Sequence, residues 1–109
     1  GYQVIVFEKL PHPGGLMRIN IPAFRLPAEV LDEEIGYIVD MGVEMRYNSP
    51  IESMKTLLDA GEFDAVFVGS GAPKGKELEL PGRYDTQSIH IGIEWLEAVH
   101  FGHVTSIEP

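Results

Sequence analysis

The sequence predicts an α/β fold in which a small, mostly parallel sheet is flanked by helices. Short apolar runs, nearly continuous rather than alternating, are typical of parallel strands that are buried on both faces. Segments with helical periodicity separate these runs along the chain. Glycine, proline, asparagine and serine residues mark the junctions, as turns require. We therefore expect strands and helices to alternate within one domain that includes residues 1–109.

The first half of the chain predicts a strand, a long loop and a helix. Gln3–Glu8 is nearly all apolar and forms the expected first strand, and the proline- and glycine-containing residues 10–26 form the loop. A helix is expected from Pro27, a favourable first-turn residue, to Gly42, which ends it. Its predicted apolar stripe consists of Val30, Leu31, Ile35, Ile38 and Val39.

The second half predicts two more strands and two more helices. Residues 43–47 form the expected second strand, residues 48–50 turn the chain, and residues 53–60 form a short helix. Phe63–Gly69 is again apolar on both faces and predicts a third strand. After a glycine-rich turn and a loop, a last helix is expected over residues 91–101.

Composition excludes several classes of function. Seventeen acidic against eight basic side chains give a net charge of −9, which argues against binding to nucleic acid or an anionic membrane. The chain has no cysteine, so thiolate chemistry, disulfides and cysteine-ligated metal clusters are excluded within it. No apolar run approaches the ~20 residues that span a bilayer, and no signal-peptide pattern is present. A soluble, cytoplasmic protein is expected.

Glu8 is the first candidate binding residue. An acidic side chain at the carboxyl end of the second strand of a dinucleotide-binding fold accepts hydrogen bonds from ribose hydroxyls. The alternative is an ordinary solvated carboxylate at a strand end. The G-x-G-x-x-G that accompanies such an acid should begin roughly 20 residues before it. Because only seven residues precede Glu8, we expect the first βα unit of such a fold to be missing from this chain.

Two glycine-rich segments are further candidates. Paired Gly14 and Gly15 permit a backbone to approach a ligand closely, although such a pair is also compatible with a plain turn. The small residues 69–73 end the third predicted strand, where open α/β sheets bind ligands. Lys74-Gly75-Lys76 imitates a phosphate loop, but neither its glycine spacing nor the following Glu77 fits one.

Other polar clusters predict no chemistry. Glu29, Asp32, Glu33 and Glu34 lie largely opposite the apolar stripe of their helix, so a solvated face is expected rather than a metal site. The four histidines lack metal-ligand spacing, and no serine has the flanking pattern of a hydrolase nucleophile.

Taken in order, three segments resemble a known family. They are VIVFEKLPHPGGLMRINIPAFRLPAEVLDEEI, GVEMRYN and FDAVFVGSGAPKGKELELPG. They are similar to the FAD domain of glutamate synthase small subunits and of related flavoproteins, which include dihydropyrimidine dehydrogenase and ferredoxin-linked reductases. The resemblance implies a partial Rossmann-like FAD-binding domain, without its first βα unit, and covers nearly the whole chain.

The resemblance also implies roles for particular residues. Glu8, with its neighbour Lys9, would bind the FAD ribose, and Ile51 would meet the adenine through its backbone. Residues 14–16 would line the flavin side, with Arg18 nearby. The small-residue turn that passes the pyrophosphate and flavin would match Ser70, Gly71 and Ala72. The full candidate site is therefore Glu8, Lys9, Gly14, Gly15, Leu16, Arg18, Ile51, Ser70, Gly71 and Ala72.

The implied activity belongs to a longer protein. The family passes electrons from NAD(P)H through FAD to iron–sulfur centres, and the nicotinamide and iron–sulfur sites would lie outside this chain. Expected partners are the other domains of the parent flavoprotein and an iron–sulfur or large-subunit partner, with a homo-oligomer as a further possibility. The isolated chain is expected to be inactive. The alternative is a non-catalytic binding or docking module derived from the family.

One departure from the family pattern affects the loop after the paired glycines. The family usually reads Arg-Tyr-Gly-Ile-Pro where this chain has Arg18-Ile19-Asn20-Ile21-Pro22. Asn20 tolerates a left-handed backbone conformation better than most residues, so the turn is expected to survive without the aromatic contact.

Overall fold

In the computed structural model, residues 1–107 are described and contain two strands and four helices. Their order is β1 (Ile5–Phe7), α1 (Gly15–Ile19), α2 (Ala28–Val39), β2 (Glu44–Arg46), α3 (Met54–Asp59) and α4 (Gly92–His100). Two compact units divide the chain. The first unit consists of Gly1–Gly14 and Glu29–Ser70, and the second of Gly15–Ala28 and the residues from Gly71 onward.

The two strands of the first unit form a parallel pair. Ile5 lies opposite Glu44 and Phe7 opposite Arg46. Two further hydrogen bonds flank the paired residues. The Glu44 N–H donates to the Val4 carbonyl at 3.0 Å, and the Glu8 N–H donates to the Arg46 carbonyl at 2.9 Å. Parallel strands need a crossover connection, and α2 lies in that connection. The predicted α/β class with a small parallel sheet is confirmed to this extent, and the strands are shorter than predicted.

Helix α2 begins and ends close to the predicted positions. Gly42 follows it with φ of 101°, a left-handed conformation that glycine adopts without strain. Leu31 is buried and is 6% exposed, while Ile35 and Val39, one and two turns later, are half-buried. The predicted stripe was too wide, because the structure leaves Val30 and Ile38 exposed, as it does the acidic residues of this helix.

The third predicted strand is wrong. Residues 63–69 form no strand, although Phe63 at their start contacts the ring of Phe7 edge-on at 5.9 Å. No backbone hydrogen bond joins these residues to β1 or β2 within the part of the chain that the structure describes. Phe67 is 94% exposed. A strand-forming composition is not sufficient, because a strand requires a neighbour that satisfies its N–H and C=O groups.

Helix α3 confirms the short helix predicted over residues 53–60. Ser53 is its N-cap, with an extended backbone, and its Oγ accepts a hydrogen bond from the Thr56 N–H at 3.2 Å. Lys55 and Asp59 form an ion pair one turn apart on its exposed surface.

Removal of this N-cap is expected to destabilise α3 alone. The variant Ser53→Ala leaves the Thr56 N–H without its acceptor, which costs about 1 kcal/mol. Amide hydrogen exchange of Thr56 and its neighbours should accelerate about fivefold. The control Ser53→Asp keeps an acceptor at the same position and should retain slow exchange. Equal exchange rates in the alanine variant and the unmodified chain would contradict the role of the cap.

In the second unit, α1 packs beside α4. Ile19 of α1 is 7% exposed, and the Asn20 side-chain amide donates to the Ile93 carbonyl at 2.9 Å. Two sequence predictions fail here. Helix α1 lies in the segment expected to be loop, and Asn20 does not adopt a left-handed backbone. The contact with α4 accounts for both differences, because it stabilises a single helical turn and uses the asparagine side chain instead of its backbone tolerance.

The loop before α4 is held by one arginine. Arg83 forms an ion pair with Glu77, and its Nη1 donates to the Ile89 carbonyl at 3.1 Å. Helix α4 itself confirms the last predicted helix. Among the residues that the structure describes, no helix combines the length and the apolar character that crossing a lipid bilayer requires.

Candidate functional site

The carboxylate of Glu8 lies where β1 ends and is held in place by the backbone. Its Oε1 accepts a hydrogen bond from the Leu10 N–H at 2.9 Å. The Glu8 N–H donates to the Arg46 carbonyl at 2.9 Å, and the Glu8 carbonyl accepts from the Ser49 N–H at 2.9 Å. Because a carboxylate offers about four acceptor positions, Glu8 retains capacity to accept hydrogen bonds from a ligand.

The turn after β2 is joined to the residues after β1. Asn48 has φ of 51°, a left-handed conformation that asparagine tolerates, and its N–H donates to the Leu10 carbonyl at 3.2 Å. The Ser49 hydroxyl donates to the Tyr47 carbonyl at 2.9 Å and shapes the same turn. Ile51 follows two residues later and is 40% exposed. The first unit therefore places Glu8 beside the turn that leads to Ile51.

Arg46 is a charged residue that the sequence analysis missed at this end of the sheet. Its guanidinium lies 5.4 Å from the centre of the Phe7 ring, and its Nε donates to Glu44 Oε1 at 2.6 Å. The feature that could have identified it is a basic residue near the carboxyl end of the second predicted strand, beside the expected position of Glu8. The carboxyl ends of the two strands thus present both a carboxylate, Glu8, and a guanidinium that is already paired.

The paired glycines both require glycine. Gly14 has φ of 121° and Gly15 has φ of 51°, values at which other L residues are strained. A Cβ built on Gly15 would meet no atom within 4 Å. The space beside the Gly15 Cα is therefore open, although the residue itself is half-buried. Lys9, the other predicted contact in this region of the chain, is exposed.

The remaining candidate residues are divided between the two units. Ser70 ends the first unit, whereas Leu16, Arg18, Gly71 and Ala72 belong to the second. Leu16 and Arg18 are half-buried residues of α1, and Gly71 has φ of 70°. The structure brings Glu8 and the turn before Ile51 together in the first unit.

The ten candidate residues line neither of two grooves on the described part of the chain. A groove of about 390 Å³ in the first unit lies between residues 11–13 and α2, with Tyr47 at its border. A cavity of about 240 Å³ in the second unit is lined by Arg83, Trp95 and residues of the loop before α4. Neither groove therefore coincides with the candidate residues.

The residues that the structure describes form neither a cluster of metal ligands nor a phosphate loop. In residues 1–107, no three histidine, aspartate or glutamate side chains are grouped so that they could hold a metal ion. Lys74-Gly75-Lys76 does not lead into a helix, since α4 begins only at Gly92. A phosphate loop requires a helix N-terminus directly after it.

Comparison with known proteins gives relatives along nearly the whole chain. A PreT homolog of the NAD-dependent dihydropyrimidine dehydrogenase subunit from Salmonella typhi is 44% identical over 99 residues, which are 89% of this chain and 23% of that protein. The glutamate synthase [NADPH] small chain of Halomonas elongata is 36% identical over 104 residues, which are 90% of this chain and 21% of the relative.

A third relative is named for a different activity. The NADPH-Fe(3+) oxidoreductase subunit beta of Geobacter sulfurreducens is 30% identical over 112 residues, which are 98% of this chain and 17% of that protein. No family model matches the chain. The chain thus spans about a quarter or less of the length of these relatives, whose names share a nicotinamide-dependent oxidoreductase activity.

Proposed function

This chain belongs to the family of NAD(P)H-dependent oxidoreductase subunits that includes PreT and the glutamate synthase small chain, and we propose that it contributes part of an FAD site in such an enzyme. The parent protein would pass electrons from NAD(P)H through FAD to iron–sulfur centres. The supporting observation is the geometry of Glu8, a backbone-held carboxylate beside the turn that leads to Ile51.

The residues of this chain would bind and orient the cofactor. Glu8 would accept hydrogen bonds from the ribose hydroxyls, with its Oε1 fixed by the Leu10 N–H. Backbone groups of Ile51 would contact the adenine, and the open space beside the Gly15 Cα would allow close approach of the flavin side. When bound, FAD would supply the capacity to accept a hydride from a nicotinamide and release electrons singly.

The remaining candidates would each contribute a further contact with the cofactor. We propose that small residues and residues of α1 contact the cofactor through backbone or apolar groups, and that Lys9 lies beside the ribose. The small residues are Gly14, Ser70, Gly71 and Ala72, and the residues of α1 are Leu16 and Arg18. No general acid or base is required for hydride transfer to a flavin, so no catalytic residue is assigned.

The isolated chain is proposed to be inactive. It contains no G-x-G-x-x-G, the loop whose backbone N–H groups and following helix bind a dinucleotide pyrophosphate. Titration of the chain with FAD, followed by flavin fluorescence, is expected to give no submicromolar binding. Tight binding by the chain alone would contradict this proposal.

A chimera tests the positive part of the proposal. The chain would replace the matching 99 residues of the Salmonella typhi PreT homolog, to which it is 44% identical. We expect the chimera to purify with FAD and its flavin absorbance to bleach with NADH. A folded chimera that binds no flavin would overturn the proposed function.

Within that chimera, Glu8→Gln is expected to weaken FAD binding. An amide keeps the shape of the side chain but removes the charge, and hydrogen bonds to a charged group contribute about 1.5–3 kcal/mol. Affinity should fall by about 10- to 100-fold. The control Glu62→Gln changes an exposed carboxylate of the same unit and should leave FAD affinity unchanged. Equal FAD affinities of the two variants would show that Glu8 does not contribute to FAD binding.

A second candidate function is a non-catalytic docking module. The observation that favours it is the exposure of large apolar side chains, with Phe67 94% and Tyr2 99% exposed. The chimera separates the two candidates, because a docking module would not supply an FAD-binding segment to a relative.

A further inference from the structure

Helix α1 is too short to be stable by itself. It has five residues, Gly15–Ile19, whereas isolated helices shorter than about 12 residues are marginal in water. The contact with α4 in the second unit therefore stabilises it. Ile19 is buried in that unit, while Leu16 and Arg18 are half-buried. The position of α1, and of the candidate residues that it carries, thus depends on α4.

Asn20, the residue that follows α1, links this helix to α4. Its side-chain Nδ2 donates to the Ile93 carbonyl at 2.9 Å, and its backbone N–H donates to the Leu16 carbonyl at 2.9 Å. A shift of Asn20 relative to α4 therefore moves Leu16 with it. Apolar burial, such as that of Ile19, has no preferred direction. A hydrogen bond weakens steeply as its angle closes, so the bond to Ile93 also fixes the direction of α1.

The Asn20 amide is not arranged for stability alone. Its Oδ1 is buried, and no donor among the described residues reaches it. A buried acceptor without a partner costs free energy, which an apolar side chain of the same shape avoids. Nor does the Ile93 carbonyl depend on the amide, because it lies within α4, where carbonyls accept intrahelical bonds. The direction that the amide imposes on α1 explains this polar side chain better than stability does.

We propose that Asn20 is a positioning residue for the FAD site. Its bond to Ile93 sets the angle of α1 on α4 and so presents Leu16 and Arg18 to the flavin side of the cofactor. This role rests on the proposed function, in which those two residues contact FAD. Asn20 itself acts without touching the cofactor, because its amide nitrogen bonds to α4 and its Oδ1 is buried.

The variant Asn20→Leu separates positioning from stability. Leucine has the same number and branching of side-chain heavy atoms, but it neither donates to Ile93 nor leaves an unpaired acceptor. In the PreT chimera, FAD affinity should fall by about 3- to 10-fold, as expected when one neutral hydrogen bond is lost. The visible circular dichroism of the bound flavin should also change. In the isolated chain, the urea midpoint followed by Trp95 fluorescence should not fall.

A double substitution in the chimera tests whether Asn20 acts through Leu16. Leu16→Ala removes the proposed apolar contact with the flavin and should itself weaken FAD binding. Once that side chain is absent, Asn20→Leu has less to misplace. The double variant Leu16→Ala/Asn20→Leu should therefore lose less affinity than the product of the two single losses, whereas independent effects would multiply.

Arg83→Met is the matched control. Arg83 also donates from its side chain to a backbone carbonyl of the second unit, that of Ile89, at 3.1 Å. Its removal breaks a bond of the same kind in a loop that precedes α4 rather than in α1. The urea midpoint of this variant should fall, while the FAD affinity and the flavin dichroism of the chimera should stay unchanged.

Three results would overturn the proposal. They are unchanged FAD affinity and dichroism in Asn20→Leu, losses that multiply in the double variant, and an equal loss of affinity in Arg83→Met. The second and third would mean that Asn20 only stabilises the second unit. A chimera that binds no flavin before any substitution would instead overturn the proposed function, and the role of Asn20 with it.

Discussion

Truncation of Leu31 to alanine is expected to unfold the first unit of this chain. Leu31 is 6% exposed and is the buried anchor of α2 in that unit. Leucine-to-alanine changes in packed cores cost about 2–5 kcal/mol, because transfer energy is lost and a cavity remains. A domain with so few buried side chains has little stability in reserve. Far-UV circular dichroism during urea titration should show the loss of helix at lower urea concentration.

Ile38 on the same helix is the matched control. It is also a large aliphatic residue, but it is 53% exposed. Ile38→Ala should change the free energy of unfolding by no more than about 0.5 kcal/mol, as surface substitutions usually do. Equal destabilisation by the two variants would contradict the orientation of α2 described above and would restore the wider apolar stripe predicted from the sequence.

Replacement of Gly75 by alanine is expected to disrupt the second unit. A Cβ at this position would lie 2.1 Å from Ile91 Cγ2 and 3.1 Å from Ile93 Cγ2. These methyl groups are attached directly to Cβ atoms and cannot move without rotation of the whole side chain. Overpacking of this kind costs about 1–3 kcal/mol. The N–H of Trp95, the single tryptophan of the chain, donates to the Ile91 carbonyl. Tryptophan fluorescence during urea titration should therefore report the loss of stability in the second unit.

Two further variants separate a steric effect from a general intolerance of alanine. Ile91→Ala removes the clashing methyl group, so the double variant Gly75→Ala/Ile91→Ala should be more stable than the sum of the two single changes predicts. Gly92→Ala is the control, because a Cβ there meets no atom within 4 Å. If Gly75→Ala unfolds at the same urea concentration as the unmodified chain, the close approach of residue 75 to Ile91 is wrong.

Local sequence features predicted most of the regular elements. Several of these features act within a few residues. They are the apolar run at β1, the Pro27 and Gly42 boundaries of α2, and the Ser53 cap of α3. Their effects are nearly independent of the rest of the chain, which is why helix boundaries were predicted to within one to three residues.

The failures share one cause, since each depended on a contact distant in sequence. Residues 63–69 have the composition of a strand but no neighbouring strand within the described residues. Helix α1 is stabilised by α4, and Asn20 bonds to Ile93, which is 73 residues away. No local pattern contains that information.

The sequence identified the residue types of the candidate site, but not the hydrogen bonds and charged groups that surround them. A carboxylate at a strand end and paired glycines were recognisable in the sequence, and both glycines adopt the positive φ that justifies them. The bonds that hold Glu8 to Leu10 and Ser49, and the guanidinium of Arg46 nearby, appear only when the two strands are adjacent.

The sequence by itself determined the α/β class and the family, because apolar periodicity and an ordered set of motifs remain readable without coordinates. It also determined where α2, α3 and α4 form, since caps and breakers act locally. Tertiary structure alone decided which side of α2 is buried and whether residues 63–69 become a strand. Those outcomes depend on hydrogen-bonding partners and packing surfaces that distant segments supply.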